Sequence, residues 1–152
     1  MTPKVETLAK LYLEGESVEL SDLDQQELCD WLLGEFQQLP INPMFSDYMR
    51  YRTAAEMCAD IAQERLWVSA ESYDSEIYPN PFYGFAFLAI HDYYHCVANA
   101  DFSLEGEITA YRTLANRVPN LHMQKIIYSE IVLKSSAHIY LGHSPESKLV
   151  FP

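Results

Sequence analysis

Apolar residues recur every three or four positions along most of this chain, the spacing expected of helices that bury one face. The pattern predicts a short first helix over residues 3–14 that ends near Gly15. A second helix opens at Ser21, a favoured N-cap residue, and stops at Pro40. A longer third helix is predicted over residues 45–67. Helices therefore account for most of the first half of the chain.

The second half continues the helical pattern after a segment, residues 69–81, whose Ser, Tyr, Asp, Asn and Pro content indicates a connecting loop. The next helix, near 82–98, begins with a run that is apolar on every side, which predicts burial on most sides. Two further helices are predicted over 103–117 and 120–141. We therefore expect an all-α protein, a single domain over residues 1–152. It should be a bundle of five or six helices around the buried central helix near 82–98.

Titratable side chains follow the apolar part of the central helix, where His91, Asp92 and His95 lie close together in sequence. On a helix, His91 and His95 stand at i and i+4, on one face and about 6 Å apart along the axis, so their imidazoles can share one ion. Asp92 can bind the same ion or accept the second ring N–H of a histidine and fix its tautomer. Isolated polar groups on a buried helix are costly unless they are paired or bind metal.

Glu107 can join these residues only if the chain turns. On one continuous helix Glu107 would lie about 18 Å beyond His95, too far to bind the same ion. The segment Asn99–Ser103 combines turn formers with N-cap residues, which predicts two antiparallel helices joined by a short loop. That hairpin brings Glu107 level with His95. Gly106 lowers helix propensity by about 1 kcal/mol relative to Ala but allows two backbones to approach closely.

The metal ligands that this pattern predicts are His91, Asp92, His95 and Glu107. Nitrogen and carboxylate ligands suit zinc, iron and manganese alike, and water can fill an open position. Glu105 competes with Glu107 for the ligand role. Glu130 and His138 on the last helix are candidates for a further ligand or for a hydrogen bond to one.

Composition agrees with one globular domain, because 152 residues with 49% apolar content can bury a core without disulfides. The 10 basic and 22 acidic residues give a formal net charge of −12. Such a charge repels phosphate backbones and anionic lipid surfaces, so nucleic-acid binding is not expected.

Cellular location can be predicted from the cysteines and the apolar segments. Cys29, Cys58 and Cys96 are odd in number, lack CxxC spacing and lie in apolar helical contexts, which predicts buried reduced thiols and a cytoplasmic protein. The N-terminal residues lack the apolar region of a signal peptide. The longest apolar run, residues 81–90, is too short to span a bilayer, so no transmembrane segment is expected.

The motif His-Asp-x-x-His, followed after eleven residues by Glu with Gly directly before it, resembles the metal motif of the coenzyme-Q biosynthesis protein four family. The likeness covers residues 91–107, with matches at His91, Asp92, His95, Gly106 and Glu107. The resemblance implies a helical protein with one divalent metal ion at these positions, zinc foremost and iron or manganese as alternatives. It also implies a nearby site for long polyprenyl lipids. The family is implicated in assembling quinone-biosynthesis enzymes and in oxidative removal of a ring carboxyl.

We therefore expect a metal-binding helical protein that binds, or acts on, a hydrophobic small molecule of the prenyl or quinone-like kind. Whether it is an enzyme is left open, as is its oligomeric state, with a homo-oligomer among the options. One alternative is an acidic helical interaction protein whose His, Asp and Glu groups form a structural polar network. Another is a ferritin-like metal-dependent oxygenase, although that class has paired Glu-x-x-His motifs and this chain has a single Asp92-x-x-His95. Tyr111, one turn after Glu107, is a packing residue or a catalytic hydroxyl.

Overall fold

Helices make up most of the computed structural model, which describes residues 4–69 and 77–152. The helices, in chain order, are α1 Val5–Glu14, α2 Asp22–Gln37, α3 Ala54–Ala62, α4 Pro81–Val97, α5 Leu104–Ala115, α6 Leu121–Tyr128 and α7 Lys134–Leu141. Two strands, β1 Asn42–Ser46 and β2 Arg65–Ser69, pair in parallel. The helical part of the predicted fold is thus confirmed, and a small two-stranded sheet is added to it. Residues 70–76 of the predicted loop 69–81 lie outside the described residues.

The predicted ends of the first two helices and the predicted start of the second are confirmed, whereas α1 starts at Val5 and residue 3 lies outside the described residues. The Ser21 hydroxyl accepts a hydrogen bond of 3.1 Å from the backbone N–H of Asp24 and caps α2. Gly15 directly follows the last residue of α1. α2 ends at Gln37, shortly before Pro40. Local start and stop signals are therefore enough to define these two helices.

The predicted long helix over residues 45–67 is wrong, because α3 occupies only its middle and β1 and β2 flank it. Thr53 begins α3 through a capping box with Glu56, in which each side chain accepts a hydrogen bond from the other residue's backbone. The helical pattern missed the pairing of two strands that are distant in sequence.

The sheet packs against the central helix α4. Leu66 and Val68 of β2 are almost fully buried. With Met57 of α3 and Ala89 of α4 they form a hydrophobic cluster beside the main core. α4 contacts α2, α3, α5 and β2, which confirms its predicted central position. Its first turn is more open, where Phe82 is 40% exposed.

The predicted helix over residues 120–141 is one continuous helix in three segments: α6, the π-helical segment Ser129–Leu133, and α7. The backbone stays helical across both junctions, at Tyr128 and at Lys134. All five residues of the π-helical segment are buried. Gly142, with φ of 80°, ends the helix as predicted. A π turn widens a helix locally and occurs frequently at functional sites.

The prediction of three reduced cysteines is wrong for two of them, because Cys58 and Cys96 form a disulfide with 5.4 Å between their Cα atoms. The bond joins α3 to α4, and a contact between such distant segments cannot be deduced from cysteine spacing. Cys29 is free and buried, as predicted. The cytoplasmic location stays a prediction, and the cysteines no longer support it. None of the helices in the described ranges is long and apolar enough to cross a membrane.

Candidate metal centre

Three ligand atoms from α4 and α5 form a nearly equilateral triangle. His91 Nε2 lies 3.0 Å from His95 Nε2, and Glu107 Oε2 lies 3.2 Å from the first nitrogen and 3.1 Å from the second. His95 is fully buried, Glu107 is 6% exposed, and the His91 side chain is 12% exposed. This group could hold a metal ion. Three of the four predicted ligands are therefore brought together.

The turn between α4 and α5 brings the ligands together as predicted. Past the end of α4, Asn99 adopts a left-handed conformation with φ of 53°, which Asn tolerates better than most residues. The Ser103 hydroxyl accepts a hydrogen bond from the backbone N–H of Gly106 and caps α5. Glu107 therefore lies in the first turn of α5, opposite His95 in the last turn of α4.

His95 is oriented by the backbone of the turn that follows it. Its ring Nδ1 lies 3.2 Å from the carbonyl oxygen of Ala100, so an N–H at Nδ1 donates to that carbonyl. A proton fixed at Nδ1 leaves the lone pair on Nε2, the atom that belongs to the triangle. The Ala100 backbone N–H in turn donates to the His95 carbonyl. The turn therefore holds the ring in the tautomer that a metal ion requires.

The dimensions of the triangle suit a metal ion. In a tetrahedral zinc site with bonds of about 2.05 Å, neighbouring ligand atoms lie roughly 3.3 Å apart. The three sides measured here are 3.0, 3.1 and 3.2 Å, so a slight widening would admit the ion. Three protein ligands leave at least one position for water or for a bound molecule, the arrangement typical of catalytic rather than structural zinc.

The electrostatics of the triangle favour positive charge. Burial would raise the pKa of Glu107, but the charges of and hydrogen bonds from His91 and His95 outweigh burial and lower that pKa to about 2. Burial likewise would lower the pKa of His95, but its hydrogen bond with Glu107 and the carboxylate charge raise it. The ionised carboxylate of Glu107 therefore attracts positive charge. That charge is either a proton on an imidazole or a metal ion that takes the place of the proton.

Asp92 stands beside the triangle but is not one of its corners. The group whose ligand atoms lie within 4.8 Å of one another, among the described residues, consists of His91, His95 and Glu107. Asp92 is half-buried on the wall of the same cavity. Burial, only partly offset by the two histidines, raises the pKa of Asp92 to about 6. Its role as a fourth ligand therefore stays a prediction that requires a change in its side-chain position.

A cavity of about 300 Å³ adjoins the triangle. One part of its wall is apolar and aromatic, and includes Met49, Met57, Phe87, Leu88, Phe102 and Ile139. The polar part of the wall contains the triangle and Asp92. It also contains the side chains of Tyr78, Glu130, Lys134, Ser135, His138 and Ser144. A cavity with a small set of polar groups against an apolar wall is the usual form of a small-molecule site.

Some of the polar cavity residues belong to the predicted set, and others do not. Glu130 and His138, predicted as candidates on the last helix, both line the cavity. The Tyr78 hydroxyl donates to Glu130 Oε2 at 3.4 Å, a contact across 52 positions that no local pattern indicates. Lys134 could have been found, since it lies one helical turn after Glu130 and shares its face.

The remaining candidates lie away from the triangle. Glu105 is exposed in the first turn of α5, so Glu107 is the residue that meets the histidines. The Tyr111 hydroxyl donates to the Gln124 carbonyl at 3.5 Å and its ring packs edge-on against Tyr128, which favours the packing role. His122, which is not one of the candidates, is exposed at a helix end.

The chemistry of the site rests on its own residues, because the wider comparisons are negative. Compared with known proteins, the chain matches no family model, no curated protein and no solved structure. The resemblance to the coenzyme-Q biosynthesis protein four family, which five motif positions carry, therefore stays a prediction.

Proposed function

We propose that the protein binds one divalent metal ion through His91, His95 and Glu107, zinc in the first place, with iron or manganese as alternatives. Asp92 stands beside the ion, as a fourth ligand or as a charge that orients a histidine. The bound ion anchors the anionic head group of a hydrophobic small molecule, prenyl-like or quinone-like, in the adjoining cavity. The link to ubiquinone biosynthesis follows from the motif resemblance alone.

The observation that carries this proposal is the close approach of three nearly buried ligand atoms. The Nε2 atoms of His91 and His95 are 3.0 Å apart, and both contact Glu107. The lone pairs of two unprotonated nitrogens at that distance repel each other. A single proton can form a hydrogen bond within only one of the three atom pairs of the triangle. One metal ion would bind all three atoms at once.

The shape of the cavity supports the choice of a ligand with an anionic head and an apolar body. Its volume of about 300 Å³ is at the small end of the range for small-molecule sites. A divalent ion attracts a carboxylate or phenolate oxygen to its open position. Phe87 and Phe102 lie in the same wall as the histidines, with ring centroids 6.0 Å from His91 and 5.3 Å from His95 respectively. They would pack against the apolar body next to the head group.

The direct test is metal content measured by mass spectrometry on tag-free protein after reconstitution with zinc, iron or manganese. We expect near one equivalent in the native protein, and loss of the ion in His95→Ala and in Glu107→Gln. His122→Ala is the matched control, because His122 is an exposed histidine paired with Asp24 outside the group. A native protein that takes up no metal, or a control that loses it equally, would refute the site.

The second candidate is an acidic interaction protein in which the triangle is a hydrogen-bonded network without metal. The same 3.0–3.2 Å distances support it, since they are also hydrogen-bond distances. Chelator treatment separates the two: a network needs no ion, so its thermal stability would not change. A lower melting temperature after chelation, restored by zinc, supports the metal site.

A further inference from the structure

Glu130 is a buried carboxyl group with an unoccupied hydrogen-bonding position. The residue is 8% exposed and lines the cavity beside the metal triangle. Its Oε2 accepts a hydrogen bond from the Tyr78 hydroxyl. Its Oε1 is buried and has no hydrogen-bond partner among the residues that the structure describes. Leaving a buried carboxyl oxygen without a partner costs free energy, and a cavity-lining residue that carries such an oxygen is a candidate for contact with a ligand.

Two other buried glutamates show how this chain normally satisfies such groups. Glu35 receives two hydrogen bonds from the Arg117 guanidinium. Glu107 contacts both histidines of the triangle. Lys134, which lies one turn after Glu130, directs its Nζ to Ser147 Oγ at 2.8 Å. Lys134 therefore acts on Glu130 through its charge, and the hydrogen-bond partner of Glu130 within the described part of the chain is the neutral hydroxyl of Tyr78.

The position of Glu130 within the last helix adds an independent observation. It is the second residue of the π-helical segment Ser129–Leu133, which interrupts the α-helix between α6 and α7. Such interruptions occur frequently at functional sites. Of the five residues in this segment, Glu130 lines the cavity that adjoins the triangle.

We propose that Glu130 Oε1 hydrogen-bonds a hydroxyl group on the molecule whose anionic oxygen binds at His91, His95 and Glu107. This inference rests on the proposed function and narrows its ligand class to hydroxylated aromatic or apolar acids. A hydroxyl both donates and accepts, so it pairs with Oε1 whether or not the carboxyl carries a proton. The group of ligand atoms within 4.8 Å does not include Glu130, so contact with the ligand fits the geometry better than contact with the ion.

The test measures binding of three small acids to the zinc-loaded protein by calorimetry: phenylacetate, 3-hydroxyphenylacetate and 4-hydroxyphenylacetate. Zinc should hold the carboxylate of each acid, while the two ring positions place a hydroxyl at different distances from it. We expect one hydroxylated acid to bind roughly fivefold more tightly than phenylacetate, the gain of one hydrogen bond to a buried carboxyl. Glu130→Leu should abolish that gain and leave phenylacetate affinity within about twofold of native.

Glu16→Leu is the matched control, an exposed glutamate between α1 and α2, and it should keep the hydroxyl preference. If Glu130→Leu fails to fold, a crystal structure of the zinc-loaded native protein with the tighter acid decides. The ring hydroxyl should then lie within hydrogen-bond distance of Glu130 Oε1. Metal-dependent binding of phenylacetate without any hydroxyl preference, or a preference that survives in Glu130→Leu, would overturn this inference alone. Failure of phenylacetate to bind, or binding that is independent of zinc, would count against the proposed function as well.

Discussion

Gly106 lies so close to Asp101 that a Cβ atom at position 106 would stand 2.0 Å from the Asp101 carbonyl oxygen. Asp101 directly follows Ala100, whose carbonyl accepts the hydrogen bond from His95 Nδ1. The glycine beside the candidate ligand Glu107 therefore sets the position of the turn that orients the candidate ligand His95. The two helices of the hairpin are coupled through a residue that has no side chain.

We expect Gly106→Ala to lower the free energy of unfolding by about 2 kcal/mol, since the clash is with backbone that cannot rotate away. The turn must shift to relieve it, and the Ala100 carbonyl moves with the turn. Metal affinity should therefore fall by roughly tenfold, the usual scale for losing the partner that orients a histidine ligand. Urea unfolding and competition with a fluorescent chelator measure the two effects.

Gly34→Ala provides the control for this substitution. A Cβ atom at Gly34, inside α2, meets nothing within 4 Å. Alanine has the higher helix propensity, so this variant should gain about 1 kcal/mol of stability and keep its metal affinity. Equal losses in the two variants would show that the contact with Asp101 is unimportant.

Asp92→Asn distinguishes a metal ligand from a neighbouring charge. Because Asp92 lies outside the triangle, we expect the variant to keep near one equivalent of zinc. Loss of a carboxylate beside the cation should still weaken binding by roughly tenfold. Metal content and the dissociation constant are measured on the same samples. Complete loss of metal, with the fold intact by circular dichroism, would make Asp92 a ligand after all.

Metal affinity should fall as the pH is lowered, because a metal ion binds the neutral form of imidazole. The pKa of His95 is raised above the usual 6.5, so protons already compete with the ion near neutral pH. Glu107 does not contribute in this range, since its pKa is lowered to about 2. We expect a decrease of up to about tenfold per pH unit on the acid side of the His95 pKa.

Zinc dissociation constants measured by chelator competition between about pH 8 and pH 5.5 check this prediction. His122→Ala, which removes an exposed histidine outside the triangle, should give the same pH profile as the native protein. An affinity that stays constant across the range would exclude histidine ligation.

The hairpin and its three candidate ligands could be predicted because their signals are local. Histidines at i and i+4, a turn-forming Asn99 and an N-cap at Ser103 determine the arrangement within a few residues of each ligand. Glu107 then follows from the turn, since the second helix must return along the first. Each of these steps involves neighbours in sequence, and all of them are confirmed.

The features that could not be predicted depend on contacts between distant segments. The long helix over 45–67 was wrong because β1 and β2 pair with each other and leave only a short helix between them. The orientation of Tyr78 toward Glu130 depends on how the chain before α4 packs against the last helix. A periodicity argument contains no information about either contact.

The disulfide between Cys58 and Cys96 should contribute substantially to stability. It closes a loop with a sequence separation of 38 residues, for which the loss of chain entropy in the unfolded state corresponds to about 4 kcal/mol. Cys58→Ser with Cys96→Ser should therefore unfold at clearly lower guanidinium concentration than the native protein. Thiol counts on the unreduced, denatured native protein should give one free thiol, that of Cys29.

Reduction of the native protein should reproduce the effect of the double substitution, whereas Cys29→Ala should leave the response to reductant unchanged. Because Cys96 directly follows His95, loosening α3 from α4 should also weaken zinc binding, and the two losses should appear together in the reduced protein. Three free thiols before reduction would contradict the disulfide. A reduced protein with native stability would instead show that helix packing alone holds α3 against α4.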